Sequence, residues 1–149
     1  MKRTSITWIL LLLLFIAPGC CTKKDCEGAD EIYELYFVNF LAADIDTVIL
    51  KSYEPNSGFT SPVDSMIATA TERGTAFVLH LNNHLNVFYE YQLSLPGIGA
   101  NYYLTGFKAE KEGCGNCFPY RPQSDYYNRL SSYEVNGIRQ SGEQINIYK

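Results

Sequence analysis

The strongest constraint on this chain is a period of two. Val87, Tyr89, Tyr91, Leu93 and Leu95 alternate with Phe88, Glu90, Gln92 and Ser94. Phe77, Leu79 and Leu81 alternate in the same way with His80 and Asn82. Successive side chains of an extended strand point to opposite faces, so this pattern buries one face and leaves the other wet. A half-buried strand needs neighbours to satisfy its backbone, and the pattern therefore predicts an antiparallel sheet that packs on something apolar.

The same theme recurs from residue 31 onward. Runs rich in Tyr, Phe, Val, Ile and Thr predict strands at 32–40, 46–53, 75–82, 86–95, 100–110, 130–136 and 143–148. Turn formers separate them. Pro96-Gly97-Ile98-Gly99 predicts a hairpin connection, and Asn136-Gly137 opens another with Ile145 and Ile147 on one face of the return strand. Two stretches, Ser65–Glu72 and Ser124–Leu130, are short helix candidates. About seven strands in one domain predict a single all-β antiparallel sandwich, immunoglobulin- or transthyretin-like, with a small β-barrel as the alternative.

The N-terminus follows different rules. Lys2 and Arg3 precede the unbroken apolar run Trp8–Ala17, which Pro18 and Gly19 end. Ten helical residues reach about 15 Å, roughly half a hydrocarbon core, so the run is too short to span a bilayer and has the layout of a secretory signal. Ile16-Ala17-Pro18-Gly19-Cys20 resembles the lipobox of bacterial lipoproteins, with Ala17 where leucine is commoner. That resemblance implies cleavage before Cys20, a diacylglyceryl thioether on its sulfur and acylation of its new amine. Two or three acyl chains, at about 0.8 kcal/mol per buried CH₂, make such an anchor effectively permanent. The expected organisation is a signal peptide at 1–19, a lipidated tether at 20–30 and a β-sandwich domain at 31–149. Cys21 stands where lipoproteins kept in the inner membrane carry aspartate, so the resemblance implies an exported chain anchored in the outer membrane. Ile45–Leu50, the Cys114/Cys117 loop and Tyr133–Gly137 also make the remainder similar to small single-domain β-rich lipoproteins of Gram-negative bacteria, a resemblance that implies no activity.

Charge narrows the partners. The chain has 12 basic and 16 acidic side chains, and losing Lys2 and Arg3 moves the net charge from −4 to −6. An acidic domain of this kind argues against nucleic acid. The expected partners are the membrane, through the lipid anchor, and an envelope protein or small ligand. No cofactor is expected.

Few residues suggest chemistry. Cys114-Gly115-Asn116-Cys117 is a disulfide, redox or zinc candidate. Pro119 and Pro122 deny the following helix that a thioredoxin-like pair uses, and export favours a disulfide between Cys114 and Cys117. Zinc would also need His80 and His84, which fall on a strand and in an Asn-rich turn; both histidines are expected to be exposed polar positions, with no metal. Cys21 and Cys26 pair with each other, or Cys26 reaches the Cys114 loop. Asp44 and Asp46 have the spacing of a paired-carboxylate site but suit a turn and a strand start. There is no Gly-x-Ser-x-Gly elbow and no phosphate loop, so the expectation is a protein that is not an enzyme. The candidate binding residues are Tyr120, Arg121, Tyr126, Tyr127 and Arg129, presented by the 112–129 loop, because exposed Tyr and Arg are common anchors. Labelling cells with a palmitate analogue is expected to mark the native chain and not Cys20→Ser; unchanged labelling and membrane retention in the variant would refute lipidation at that residue.

Overall fold

A computed structural model describes residues 32–113 and 126–149. The signal segment, the tether, Cys20, Cys21, Cys26, Cys114, Cys117, Tyr120 and Arg121 lie outside the described residues. Of these, residues 32–112 and 127–149 belong to the compact unit that holds the core.

The fold is all-β. Among the described residues ten strands follow in order: β1 (Ile32–Val38), β2 (Val48–Tyr53), β3 (Pro62–Ala68), β4 (Thr71–Arg73), β5 (Ala76–Leu85), β6 (Glu90–Leu95), β7 (Ala100–Gly113), β8 (Tyr126–Val135), β9 (Ile138–Ser141) and β10 (Ile145–Tyr148). They form a four-stranded sheet, β10-β1-β5-β4, and a six-stranded sheet, β3-β2-β6-β7-β8-β9. Both sheets have free ends, so this is an open two-sheet sandwich and not a closed barrel.

Alternation builds the core as the sequence suggests. Leu35, Phe37, Leu79, Ile145 and Ile147 of the smaller sheet are fully buried, as are Val48, Leu93, Leu95, Leu104 and Tyr133 of the larger one. All ten belong to one apolar cluster. Each such side chain contributes about 1.5–3 kcal/mol by leaving water.

Four details depart from the sequence reading. The count exceeds seven for two reasons: the Asn136-Gly137 hairpin returns through β9, so that the expected return strand at 143–148 instead joins the other sheet as β10, and Ser65–Glu72, a helix candidate, is extended. Met66 pairs with Leu50 and Ala68 with Val48, a two-residue period that half-buries alternate positions. The chain then switches sheets to form β4 against β5. The second helix candidate is strand from Tyr126 onward; Ser124 and Asp125 lie outside the described residues. Strand β6 starts at Glu90 because Asn86 makes a turn, accepting from Phe88 N–H on Oδ1 (2.9 Å) and from Tyr89 N–H on its carbonyl (3.1 Å). Finally, β1 and β10 run parallel, with Leu35 opposite Ile145 and Phe37 opposite Ile147, so the smaller sheet is mixed.

Local chemistry fixes the turns. Asn136 and Gly137, both at positive φ (52° and 77°), make the tight β8–β9 hairpin. The Asn136 side chain also accepts from Tyr103 N–H at 2.9 Å. Gly97 allows the 3₁₀ turn Pro96–Ile98 to lie against the 3₁₀ turn Ala42–Asp44, since a Cβ there would sit 2.6 Å from the Ala43 carbonyl oxygen.

Two polar ties close the fold. The Tyr133 hydroxyl accepts from Asn146 N–H at 2.8 Å and lies 2.9 Å from Gln140 Oε1 and 2.8 Å from the Gln144 carbonyl, one of which takes its single proton. Asp44, in the turn that sequence spacing had offered as half of a carboxylate pair, accepts from Lys149 Nζ (2.6 Å) and Leu41 N–H (2.7 Å). The Lys149 hydrogen bond first, and the Leu41 bond second, hold its carboxyl below the ordinary carboxylate range.

Two outcomes follow from these ties. Tyr133→Phe strands the Asn146 N–H and is expected to cost about 1–3 kcal/mol in urea unfolding. A lowered folded-state pKa stabilises the ionised form, so the Asp44 contribution is complete above about pH 4 and is lost as pH falls through the lowered value. Urea midpoints measured from about pH 6 to about pH 2 should therefore fall more steeply for the native chain than for Asp44→Asn.

Candidate functional site: an open strand edge and its cavity

A sandwich with free sheet ends must answer its unpaired backbone groups. β4 is three residues long. β9 is four residues and carries Arg139, which donates to Ser132 Oγ at 3.0 Å. On β10 the Tyr133 hydroxyl takes the Asn146 N–H. These ends are short or occupied.

β3 differs. It has seven residues, Pro-Val-Asp-Ser-Met-Ile-Ala, and among the described strands it pairs only with β2. Pro62 stands first, where the missing N–H costs no ladder bond. Its single charge is Asp64. Ile67 is 72% exposed and Val63 54%, more apolar surface than an edge of this length ordinarily shows to water. A register shift near Tyr53 bends the Pro62 end and leaves Asp64 to Ala68 in regular pairing. The Ser65 N–H is bonded locally, to Asp64 Oδ1 at 2.8 Å.

Beside this edge the space between the sheets opens as a cavity of about 240 Å³. Leu50, Leu85 and Tyr91 form its floor, each 3% exposed; Met66 lines one side, and Val63, Asp64 and Ser65 stand at the exposed rim. The Tyr91 hydroxyl accepts from Asn86 N–H (2.7 Å) and donates to the Asn86 carbonyl (2.9 Å), so it is fully occupied. Burial above all pushes its pKa up to about 12, which keeps it neutral. Asp64 is the one carboxylate among the described residues that line the cavity. Among the described residues its Oδ2 has no hydrogen-bond partner. An arrangement of this kind can receive an extended backbone along β3 and one side chain in the cavity.

The candidates drawn from sequence are placed elsewhere. Tyr126 begins β8, and Tyr127 follows it half-buried. Arg129 is held by two carboxylates, Glu112 Oε2 at 3.0 Å from Nε and Glu143 Oε1 at 3.4 Å from Nη1, so it ties β8 to β7 and to the β9–β10 connection. His80 lies on β5 with its side chain 57% exposed, as expected, but it is engaged. Its Nδ1 is 3.1 Å from Glu34 Oε1, which Arg73 Nη1 also reaches at 3.2 Å. Tyr36 donates to the other Glu34 oxygen, and chiefly that bond raises the Tyr36 pKa. This cluster joins β1, β4 and β5 across the outer face of the smaller sheet. His84 is on β5, not in a turn. No group of three or more His, Cys, Asp or Glu side chains stands together as a metal site among the described residues. The β3 residues escaped sequence reading because Ser65–Glu72 looked helical; Pro62 followed by inward Met66 and Ala68 was the available signal.

No protein-family model, curated protein or solved structure matches the chain.

Proposed function

We propose that this chain is an exported lipoprotein, anchored in the outer membrane through Cys20, whose sandwich is a non-enzymatic interaction module that adds an extended segment of an envelope protein to the free edge of β3. The observation that carries the reading is that edge itself: seven residues, one charge, exposed Val63 and Ile67, and a cavity alongside. In strand addition the main-chain ladder supplies affinity and a neighbouring pocket supplies selectivity. The lipobox-like segment supports the anchor, and a tether of about ten residues would reach no more than roughly 36 Å, keeping the edge near the membrane. Three polar groups singled out in the sequence support a non-catalytic reading, since Asp44, Arg129 and His80 are all engaged in bonds that join structural elements.

A photoreactive amino acid at Ile67, introduced into the full chain in cells, is expected to give a discrete adduct whose sequenced peptide is a single contiguous segment. The same group at Glu110, exposed on β7, is expected to give none. Equal adducts at both positions, or none at Ile67, would overturn the reading.

A further inference from the structure

We infer that the segment added at β3 carries a lysine or arginine, whose aliphatic stem fills the cavity and whose cation meets Asp64. This rests on reading β3 as a pairing edge. The cavity's size admits one side chain; pockets for drug-sized ligands run to about 300–1,000 Å³, against about 240 Å³ here. Its chemistry changes with depth. The floor of Leu50, Leu85 and the Tyr91 ring is apolar and buried, and the Tyr91 hydroxyl is already spent on Asn86. The rim carries the carboxylate. An apolar stem ending in a positive charge matches both zones at once, because lysine and arginine bury their methylenes while the charged head stays near water. A wholly apolar side chain would leave Asp64 unanswered, and an acidic one would face it with like charge.

The edge and the cavity are coupled through one bond. Asp64 Oδ1 now takes the Ser65 N–H. An arriving strand can supply a carbonyl for that donor, releasing Oδ1, so that both carboxylate oxygens become available to the cation. The nearest basic group on the paired strand, Lys51, stands opposite Ser65 and so on the other face of the sheet from Asp64. The domain's net negative charge further favours a basic partner. A second copy of this chain fits less well. Its β3 has no lysine or arginine, and pairing about Ser65 would set Met66 against Asp64.

The test uses the full chain in detergent micelles and fluorescein-labelled peptides of sequence Thr-Val-Thr-Xaa-Thr-Val-Thr, read by fluorescence polarisation. With Xaa as lysine, binding is expected to be about tenfold tighter than with norleucine, which keeps the stem without the ammonium, and glutamate should bind most weakly. Asp64→Asn retains an amide oxygen for Ser65 N–H and should bring the lysine peptide to the norleucine level. Norleucine or glutamate matching lysine, or a lysine preference that survives Asp64→Asn, overturns the inference and leaves the pairing edge standing. Absence of binding by every peptide also overturns it, and crosslinking from Ile67 then decides whether the edge reading falls too. An Ile67 adduct with a second copy of the chain keeps the edge and rejects the basic segment.

Discussion

Everything in this domain depends on one apolar seam between two sheets of unequal width. Six strands face four, and one apolar cluster, whose members include five fully buried side chains from the strands of each sheet, supplies the contact. A sheet that is hydrophobic on one face has no stable existence until that face is covered. The unequal match has a geometrical cost, because the covering cannot be complete at every margin. Along Val63–Met66 the larger sheet's last strand keeps one flank open and the interior is reachable from the side.

Much of this was legible in the amino-acid order. The alternation in Phe77–Leu81 and Tyr91–Leu95 encodes strands and their inward faces, and the Asn136-Gly137 pair encodes its hairpin through two residues that tolerate positive φ. What was hidden depends on partners far away in sequence. Met66 and Ala68 read as helical until Leu50 and Val48 stand opposite them. Asn86 cuts short a perfect alternation because its own side chain satisfies the turn. Local patterning carries no information on which strand an edge is missing, so the open flank of β3 could be seen only with the sheet order in hand.

The polar groups show the same division. Asp44 and Asp46 share a spacing that suits a carboxylate pair, yet Asp44 is claimed by a lysine 105 residues away. Arg129 looked like an exposed anchor and is instead shared by Glu112 and Glu143. Asp64 had no distinguishing neighbourhood in sequence. Its interest comes from standing at the mouth of an apolar cavity with one oxygen uncommitted, a property of three-dimensional placement alone.

The parallel pairing of β1 with β10 has a consequence for how the molecule comes into being. Leu35 meets Ile145 across a sequence separation of 110 residues. Contacts of that span are slow to form, because the intervening loop must close before they give anything back. A chain emerging from its N-terminus cannot finish the smaller sheet until the last strand has arrived. It therefore stays incomplete until the 110 residues that separate the two partners have been made, and over that interval β1 must wait with one flank unpaired.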